Sequence, residues 1–438
     1  MTGSPEGFSL VSVGRGLLGV LSIIVIGFLL SNNRKRIDWK LIGTGLVMQL
    51  VFALLVLYVP FVGTILELLG KVFVKLLDFT QEGMTFLLGS YASKQNGFIF
   101  MLHAIPNVIL FSALVSLCYH WGIIQKIVGG FAWLLRKILR SISGAEGLVV
   151  SGNAFLGMSE APVLIKNYLG KMTSSELFLV MVSGMGTISG TVMGAYIGML
   201  GGNDPQAQLL FAKHLLSASF MAIPGSIVIA KLIFPQTKQT RDEAVFEQRN
   251  KRSNALEALA SGTMTGVKLL INICAMLLVF IALVALCNYI LKDLIGHYTG
   301  LNAWIQDITG GRADGLTFQF IVGLIFSPLM WLTGVPMGDI LPVGSLLGQK
   351  TILNEFVAYN QLAVMQAADV FVSNKSVIMS TYMLCGFANI GSIGILLGGL
   401  GVLVPEKRPL IARLGFPSLV AGALVSILSA TIVSMFLV

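Results

Sequence analysis

Charge is what this sequence has least of. Asp, Glu, Lys and Arg make up 11% of its 438 residues, where soluble globular domains carry about 25%, so a water-exposed globule is excluded. Cysteine and histidine are also sparse, at four each. Cys118, Cys274, Cys287 and Cys385 sit in apolar surroundings without metal-ligand spacing and are expected to be small buried hydrophobes. His103, His120, His214 and His297 are scattered, which argues against a metal site built on them. No HExxH, Gly-x-Ser-x-Gly or P-loop pattern occurs, so the chain does not read as a membrane protease, a lipase, an ATP-driven pump or any other enzyme. The N-terminus has Glu6 and no basic residue ahead of its first apolar run, which is therefore expected to stay as a helix and not be cleaved as a signal peptide.

What is present is apolar. Hydrophobic residues are 55% of the chain and mean hydropathy is +0.86, which places most of it in a lipid bilayer. Crossing about 30 Å of hydrocarbon takes about 20 apolar residues. Eight segments qualify, near 8–31, 41–61, 97–119, 175–200, 207–234, 264–291, 378–404 and 411–438. The interval 62–95, with Lys71, Lys75, Asp78 and Glu82 among apolar residues, reads as an interfacial amphipathic helix. The net charge of +9 lies in short clusters between these runs: Arg34 to Lys40, Lys126 to Arg140, Lys166 to Lys171, Lys231 to Arg252 and Lys407 to Arg413. Such clusters mark cytoplasmic loops and not a nucleic-acid-binding face. Alternating crossings then leave both termini outside.

Two apolar stretches do not fit as simple spans. Residues 145–168 contain Gly152, Asn153, Gly157, Ser159, Glu160 and Pro162, with cytoplasmic clusters on both flanks. Residues 335–370 contain Gly344, Gly348, Lys350, Asn354 and Glu355, with both flanks outside. Each is expected to be a re-entrant hairpin, one entering from each side. Each is preceded by an amphipathic helix, 123–141 or 316–333, and followed by a span with a polar, glycine-containing break and then by an uninterrupted span. This ordering predicts an inverted repeat with its site at the repeat interface, because irregular backbone at membrane depth is tolerated only inside protein or beside a wet cavity. Glu160 and Glu355 fall at the hairpin breaks, and a carboxylate there is costly enough to imply function. Ser159, Thr187, Asn153, Asn354, Asn389 and Ser392 lie on or beside the breaks, a set suited to a neutral, hydroxyl-rich ligand.

These residues resemble the concentrative nucleoside transporters. Gly348-Gln349-Lys350-Thr351-Ile352-Leu353-Asn354-Glu355-Phe356-Val357-Ala358-Tyr359 is similar to that family's signature, G-x-K-x-x-x-N-E-F-x-A-Y. Gly157-Met158-Ser159-Glu160-Ala161-Pro162 resembles its first-hairpin motif, and Cys385-Gly386-Phe387-Ala388-Asn389-Ile390-Gly391-Ser392 its second broken span. The resemblance implies an all-α polytopic membrane protein of the bacterial, eight-span kind, placed in the inner (cytoplasmic) membrane. It implies a homotrimer in which residues 1–119 and 264–292 form a scaffold, while 120–263 and 293–438 form the two halves of a mobile, elevator-type transport domain. Its expected activity is symport of a nucleoside such as uridine with sodium, without an organic cofactor. A proton-coupled nucleoside symporter and a cation-coupled carrier for another polar solute are the alternatives. The resemblance further implies that Glu355, Asn389 and Ser392 hold the ribose, and that Gly157, Met158, Ser159 and Glu160 meet the base. Val192 and Phe387 would pack against the nucleoside, and Lys350 and Asn354 would support the site. Sodium would be held by the Asn153 side chain, the Thr187 hydroxyl and the backbone carbonyls of Leu156 and Ile188. One position departs: many relatives have Gln where this chain has Met158.

Overall fold

The first turn of a helix leaves backbone N–H groups without partners, and this chain begins many of its helices with a side chain that supplies one. A computed structural model describes residues 9–92, 100–103, 106–237 and 254–437, and among them all regular structure is helical. The first third contains α1 (Leu10–Leu29), α2 (Trp39–Tyr58), α3 (Pro60–Leu88), α4 (Phe100–His103) and α5 (Asn107–His120). Next come α6 (Ile123–Ile138), α7 (Gly144–Asn153), α8 (Lys166–Leu169), α9 (Ser174–Gly186), α10 (Gly190–Gly201) and α11 (Pro205–Ile233). After α12 (Ala255–Asn288) and α13 (Leu301–Ile308), the same order returns as α14 (Phe318–Leu332), α15 (Ile340–Ile352), α16 (Glu355–Ala367), α17 (Asn374–Leu384), α18 (Ile390–Leu403) and α19 (Arg408–Ser434).

Among the described residues, seven helical segments, with α9–α10 as one of them, are long and apolar enough to cross a membrane. The eighth expected crossing, α17–α18, is divided at residues 385–389 into two halves that are each too short alone. Both re-entrant hairpins are present. The second is a pair of regular helices, α15 and α16, turning at Leu353-Asn354. The second arm of the first hairpin is not: Ala161–Ile165 is a 3₁₀ segment leading into the single turn of α8. Pro162 falls in the first turn of that segment, where the missing N–H costs no bond.

Several boundaries differ from the sequence expectation for local reasons. The second span stops at Tyr58, since Val59 is extended and Pro60 starts α3. The sixth begins at Ala255 and not near 264, because the Asn254 side chain accepts the Glu257 N–H at 2.8 Å, and it continues into a π-helical Tyr289–Gly296. The seventh begins at Asn374. The expected interfacial helix is continuous over α3 and is not among the helices apolar enough to cross. The outer ends of the first, third and last expected spans, and residues 238–253 of the largest basic cluster, lie outside the described residues.

Burial separates the centre from the periphery. Of the most apolar window, 94% is buried in both α9–α10 and α11 but only 11% in α12, so the broken span is core and α12 turns most of its apolar surface outward, as lipid contact requires. Cys287 on α12 is accordingly exposed, and Cys118 and Cys274 are only half-buried; of the four cysteines, Cys385 alone is the buried hydrophobe expected. The two breaks meet at the centre. The Phe387 N–H donates to the Thr187 carbonyl at 3.3 Å. A Cβ on Gly386 would stand 2.9 Å from the Met185 carbonyl oxygen, so only glycine allows that approach.

One expected topological marker has another role. Lys231 is buried, its Nζ donating to Glu146 Oε1 and to Ser175 Oγ, the latter at 3.0 Å. This ties the start of the first hairpin to the first turn of α9. The second half repeats the device with Asp339, whose carboxylate accepts the N–H groups of Val372 and Ser373 at 2.8 and 3.1 Å and the Ser376 hydroxyl at 2.6 Å. Removing one member of a buried ion pair costs about 3–5 kcal/mol, while replacing both by apolar groups is often close to neutral. Lys231→Met is therefore expected to lower the thermal unfolding temperature of the detergent-solubilised protein, and Lys231→Met with Glu146→Leu to recover most of that loss. An equal loss in the single and double variants would contradict the assignment.

Candidate functional site

The hairpin tips and the two breaks enclose a cavity of about 440 Å³, within the range of about 300–1,000 Å³ common for small-molecule sites. Glu355 is the first residue of α16 and is 4% exposed. Its Oε1 accepts the Tyr196 hydroxyl at 3.1 Å and its Oε2 accepts Asn389 Nδ2 at 2.9 Å. Asn389 is used at both ends, because its Oδ1 caps α18 by accepting the Ser392 N–H at 2.9 Å. Asn354 caps α16 in the same way, accepting the Val357 N–H at 2.9 Å. Local helix chemistry thus holds the amides rigidly and aims the carboxylate, an acceptor-only group, at the cavity wall.

Opposite lies the tip of the first hairpin. Gly157 adopts φ +90°, and a Cβ on it would stand 2.8 Å from the Ser189 Cβ, so the tip packs directly on the first break. Gly157, Met158, Ser159 and Glu160 all line the cavity. Glu160 also lines a second space of about 240 Å³ with Ser116, Tyr119 and Thr265, and so stands where the two adjoin. Val192, Phe387 and Ser392 complete the walls on the α10 and α18 side.

The residues expected at the site therefore converge, with a division. Lys350 does not reach the cavity: it is fully buried behind α16, its Nζ donating to the Met383 carbonyl at 2.7 Å and to Ser426 Oγ at 2.9 Å. Asn153, Thr187 and Ile188 form a separate buried cluster behind the first tip, joined to the cavity through Leu156. There the Thr187 hydroxyl shares its one proton between the carbonyls of Ser183 and Asn153 at 2.8 and 3.1 Å, which leaves its lone pairs unused. Asn153 Nδ2 donates to Ser183 Oγ at 2.7 Å, while Asn153 Oδ1 is buried without a hydrogen-bond partner. A buried orphan acceptor is costly in a protein. The Thr187 hydroxyl oxygen belongs to the same hydrogen-bonded cluster, and oxygen donors are what a hard cation takes, so Asn153 and Thr187 fit a bound sodium.

Sequence reasoning missed several wall residues. It also missed Tyr196, which is not in the wall but fully buried behind it, where it donates to Glu355 and stacks on Tyr359 with ring centroids 4.5 Å apart; its position one helical turn after the wall residue Val192 was the available signal. In the wall itself, Ser189 and Thr191, whose hydroxyls are paired at 2.6 Å, line the cavity. So does a stripe of α12, formed by Leu269, Asn272, Ile273, Met276 and Phe280. Its spacing of three and four residues marks one helix face, and Asn272 is its one amide.

Comparison with known proteins agrees with this geometry. The family model described as "Na+ dependent nucleoside transporter C-terminus" matches residues 214–434, its N-terminal counterpart matches 18–91, and one described as "Nucleoside recognition" matches 101–203. An uncharacterized transporter of Haemophilus influenzae is 38% identical, over 98% of this chain and 98% of its own. Nucleoside permease NupC of Helicobacter pylori is 33% identical, over 96% and 97%. The structure of CNTnw in an inward-facing substrate-bound state superposes with a TM-score of 0.87 at 35% identity, covering 97% of this chain and 98% of that one. A variant of CNTnw in an outward-facing state matches equally well, with a TM-score of 0.87 at 35% identity over 98% and 99%. With its signature run at the second hairpin tip and its breaks facing one cavity, this chain belongs to the concentrative nucleoside transporter family, a family of transporters and not of enzymes.

Proposed function

We propose that this chain imports nucleosides such as uridine in symport with sodium, by elevator-type movement of residues 120–263 and 293–438 past a scaffold of 1–119 and 264–292. The observation that carries this reading is the pairing of two sites on one rigid centre. Glu355 and Asn389 face the cavity, and the orphaned Asn153 Oδ1 lies behind the first tip of the same cavity.

In this reading Glu355 accepts the ribose hydroxyls, with Asn389 and Ser392 beside it, since a carboxylate is a strong acceptor for O–H donors. Glu160, Ser159, Met158 and Gly157 meet the base, while Val192 and Phe387 pack on the ligand's apolar faces. Lys350 and Asn354 hold the second tip in shape. Sodium lies among Asn153 Oδ1, the Thr187 hydroxyl oxygen and the carbonyls of Leu156 and Ile188. Leu156 belongs to both sites, so an ion that orders its carbonyl also orders the tip that meets the base; that shared residue is the route of coupling. The α12 wall suits sliding: its stripe is apolar apart from Asn272, whereas the polar groups belong to the hairpins and breaks. The chain would act as a homotrimer in the bacterial inner membrane with both termini outside.

Uptake of labelled uridine into proteoliposomes tests the proposal. A sodium gradient is expected to drive accumulation above the external level. Uptake that ignores sodium and proton gradients alike would overturn it, and dependence on protons alone would transfer the coupling to the carboxylates. The base contact has its own test. The Met158 thioether is a weak acceptor, so Met158→Gln, which can add about 0.5–1.5 kcal/mol of hydrogen bonding, is expected to improve competition by uridine about 2- to 10-fold. No change in competition by any nucleoside would remove Met158 from the base site.

A further inference from the structure

The two halves align across their breaks at a constant interval of 200 residues: α10 begins at Gly190 and α18 at Ile390, and α9 begins at Ser174 and α17 at Asn374. At this interval Ser183 of α9 corresponds to Met383 of α17. Both positions receive a side chain from the end of a hairpin's first arm. In the first half, Asn153, the last residue of α7, donates to Ser183 Oγ at 2.7 Å. In the second half, Lys350, in the last turn of α15, donates to the Met383 carbonyl at 2.7 Å. Ser183, hydrogen-bonded to the residue that carries the orphan oxygen in the first half, corresponds to Met383, whose carbonyl is met by an ammonium in the second.

The environment of that ammonium is unusual for a lysine. Lys350 is fully buried, yet among the described residues no carboxylate lies within 4.0 Å of it. A buried charge normally requires a partner of opposite sign. Here the hydrogen-bond partners are a carbonyl at the end of a half-helix and the Ser426 hydroxyl at 2.9 Å, both neutral oxygens, and the Glu355 carboxylate acts on the ammonium only from beyond ion-pair distance. The C-terminal end of a helix carries about half a negative elementary charge and unpaired carbonyls. In the first half the matching end, at Ser183 to Gly186, faces the oxygen cluster of Asn153 and Thr187.

We infer that the Lys350 ammonium is a tethered cation that fills, in the second half, the place sodium takes in the first, so that the transporter couples one sodium ion per nucleoside and a second ion site is closed by this side chain. The inference rests on the sodium reading above. Both half-helix ends need a cation for the breaks to stay ordered. One cation is exchangeable and senses the gradient, and the other is permanent. Lys350 is in these terms a positioning residue, since it does not touch the ligand cavity.

The test uses the full chain in proteoliposomes and detergent, with sodium as the probe and choline as its replacement. Lys350→Asn places at this site the same amide that Asn153 supplies at the other. It is expected to be less thermally stable than the native protein in choline and to regain stability with sodium over and above the native protein's own sodium shift. The slope of logarithmic uridine accumulation against the imposed sodium gradient is expected to rise from about one to about two, by linkage. Lys350→Met, which removes the charge and supplies no oxygen ligand, should lose stability without the extra sodium response. Lys350→Arg should keep a slope of about one. A sodium response in Lys350→Asn equal to the native one, or the same response in Lys350→Met, would overturn the inference. Failure of the sodium reading would be visible separately, as uridine uptake by the unaltered protein that does not respond to sodium.

Discussion

Replacing Glu355 by Gln is expected to lower uridine uptake at saturating sodium by about 100-fold or more. Both carboxylate oxygens already accept a donor, from Tyr196 at 3.1 Å and from Asn389 at 2.9 Å. A glutamine can keep both contacts only by accepting from Asn389 and donating to the Tyr196 hydroxyl oxygen, which leaves the ribose hydroxyls without a charged acceptor. Removing a charged partner inside a buried network costs about 2–5 kcal/mol, and each 1.4 kcal/mol is a factor of ten. The damage should be confined to transport. Glu355 is at the first position of α16, whose cap is the Asn354 side chain, and that cap is untouched. Uridine uptake in proteoliposomes, alongside thermal unfolding of the same preparation, makes the comparison. Native-like uptake in a folded Glu355→Gln protein would remove the carboxylate from the site.

The second large effect concerns the ion. Asn153→Ala deletes the buried oxygen that has no hydrogen-bond partner, and with it one ligand of the proposed cation. Interactions of neutral oxygens with a charge contribute about 1.5–3 kcal/mol, so half-maximal uptake should require about 10- to 100-fold more sodium. The maximum reached at high sodium should fall much less. This separates an ion ligand from a folding residue, because a misfolded protein loses uptake at every sodium concentration alike. The Ser183 hydroxyl would lose its Asn153 donor, and Ser183→Ala is therefore the matched control for packing. A Ser183→Ala protein with the same sodium shift as Asn153→Ala would show the hydrogen bond, and not the ligand, to be responsible.

Much of this arrangement was legible in the chain. Hairpins were recognisable from Gly157, Glu160 and Pro162, and from Asn354 and Glu355, because polar and helix-breaking residues inside apolar runs are incompatible with a lipid-facing helix. The break at 385–389 falls within the Cys385-to-Ser392 run that resembles the family's broken span, and the break at 187–189 contains Thr187, one of the polar residues expected beside the breaks. The sequence did not show which member of a charged cluster faces water. Lys231 looked like its neighbours in a cytoplasmic loop, yet it lies at the end of α11 against Glu146, 85 residues earlier in the chain. Tyr196 was hidden for a related reason: a tyrosine in an apolar helix has a polar tip whose partner cannot be read from its own segment.

The sequence by itself determined the solvent, the helices and the candidate groups. These follow from local quantities: hydropathy summed over about 20 residues, caps reading three residues ahead, and the penalty on a carboxylate in hydrocarbon. Only the tertiary structure decided how those groups are shared out. It brought Glu355 to Tyr196 and Asn389, left Asn153 Oδ1 without a partner, and placed Lys350 at the end of α17 behind the cavity. A hydrogen bond needs its partners within about 3 Å, and which atoms meet at that range depends on how two halves about 200 residues apart cross at their breaks, a property that no single stretch of the chain contains.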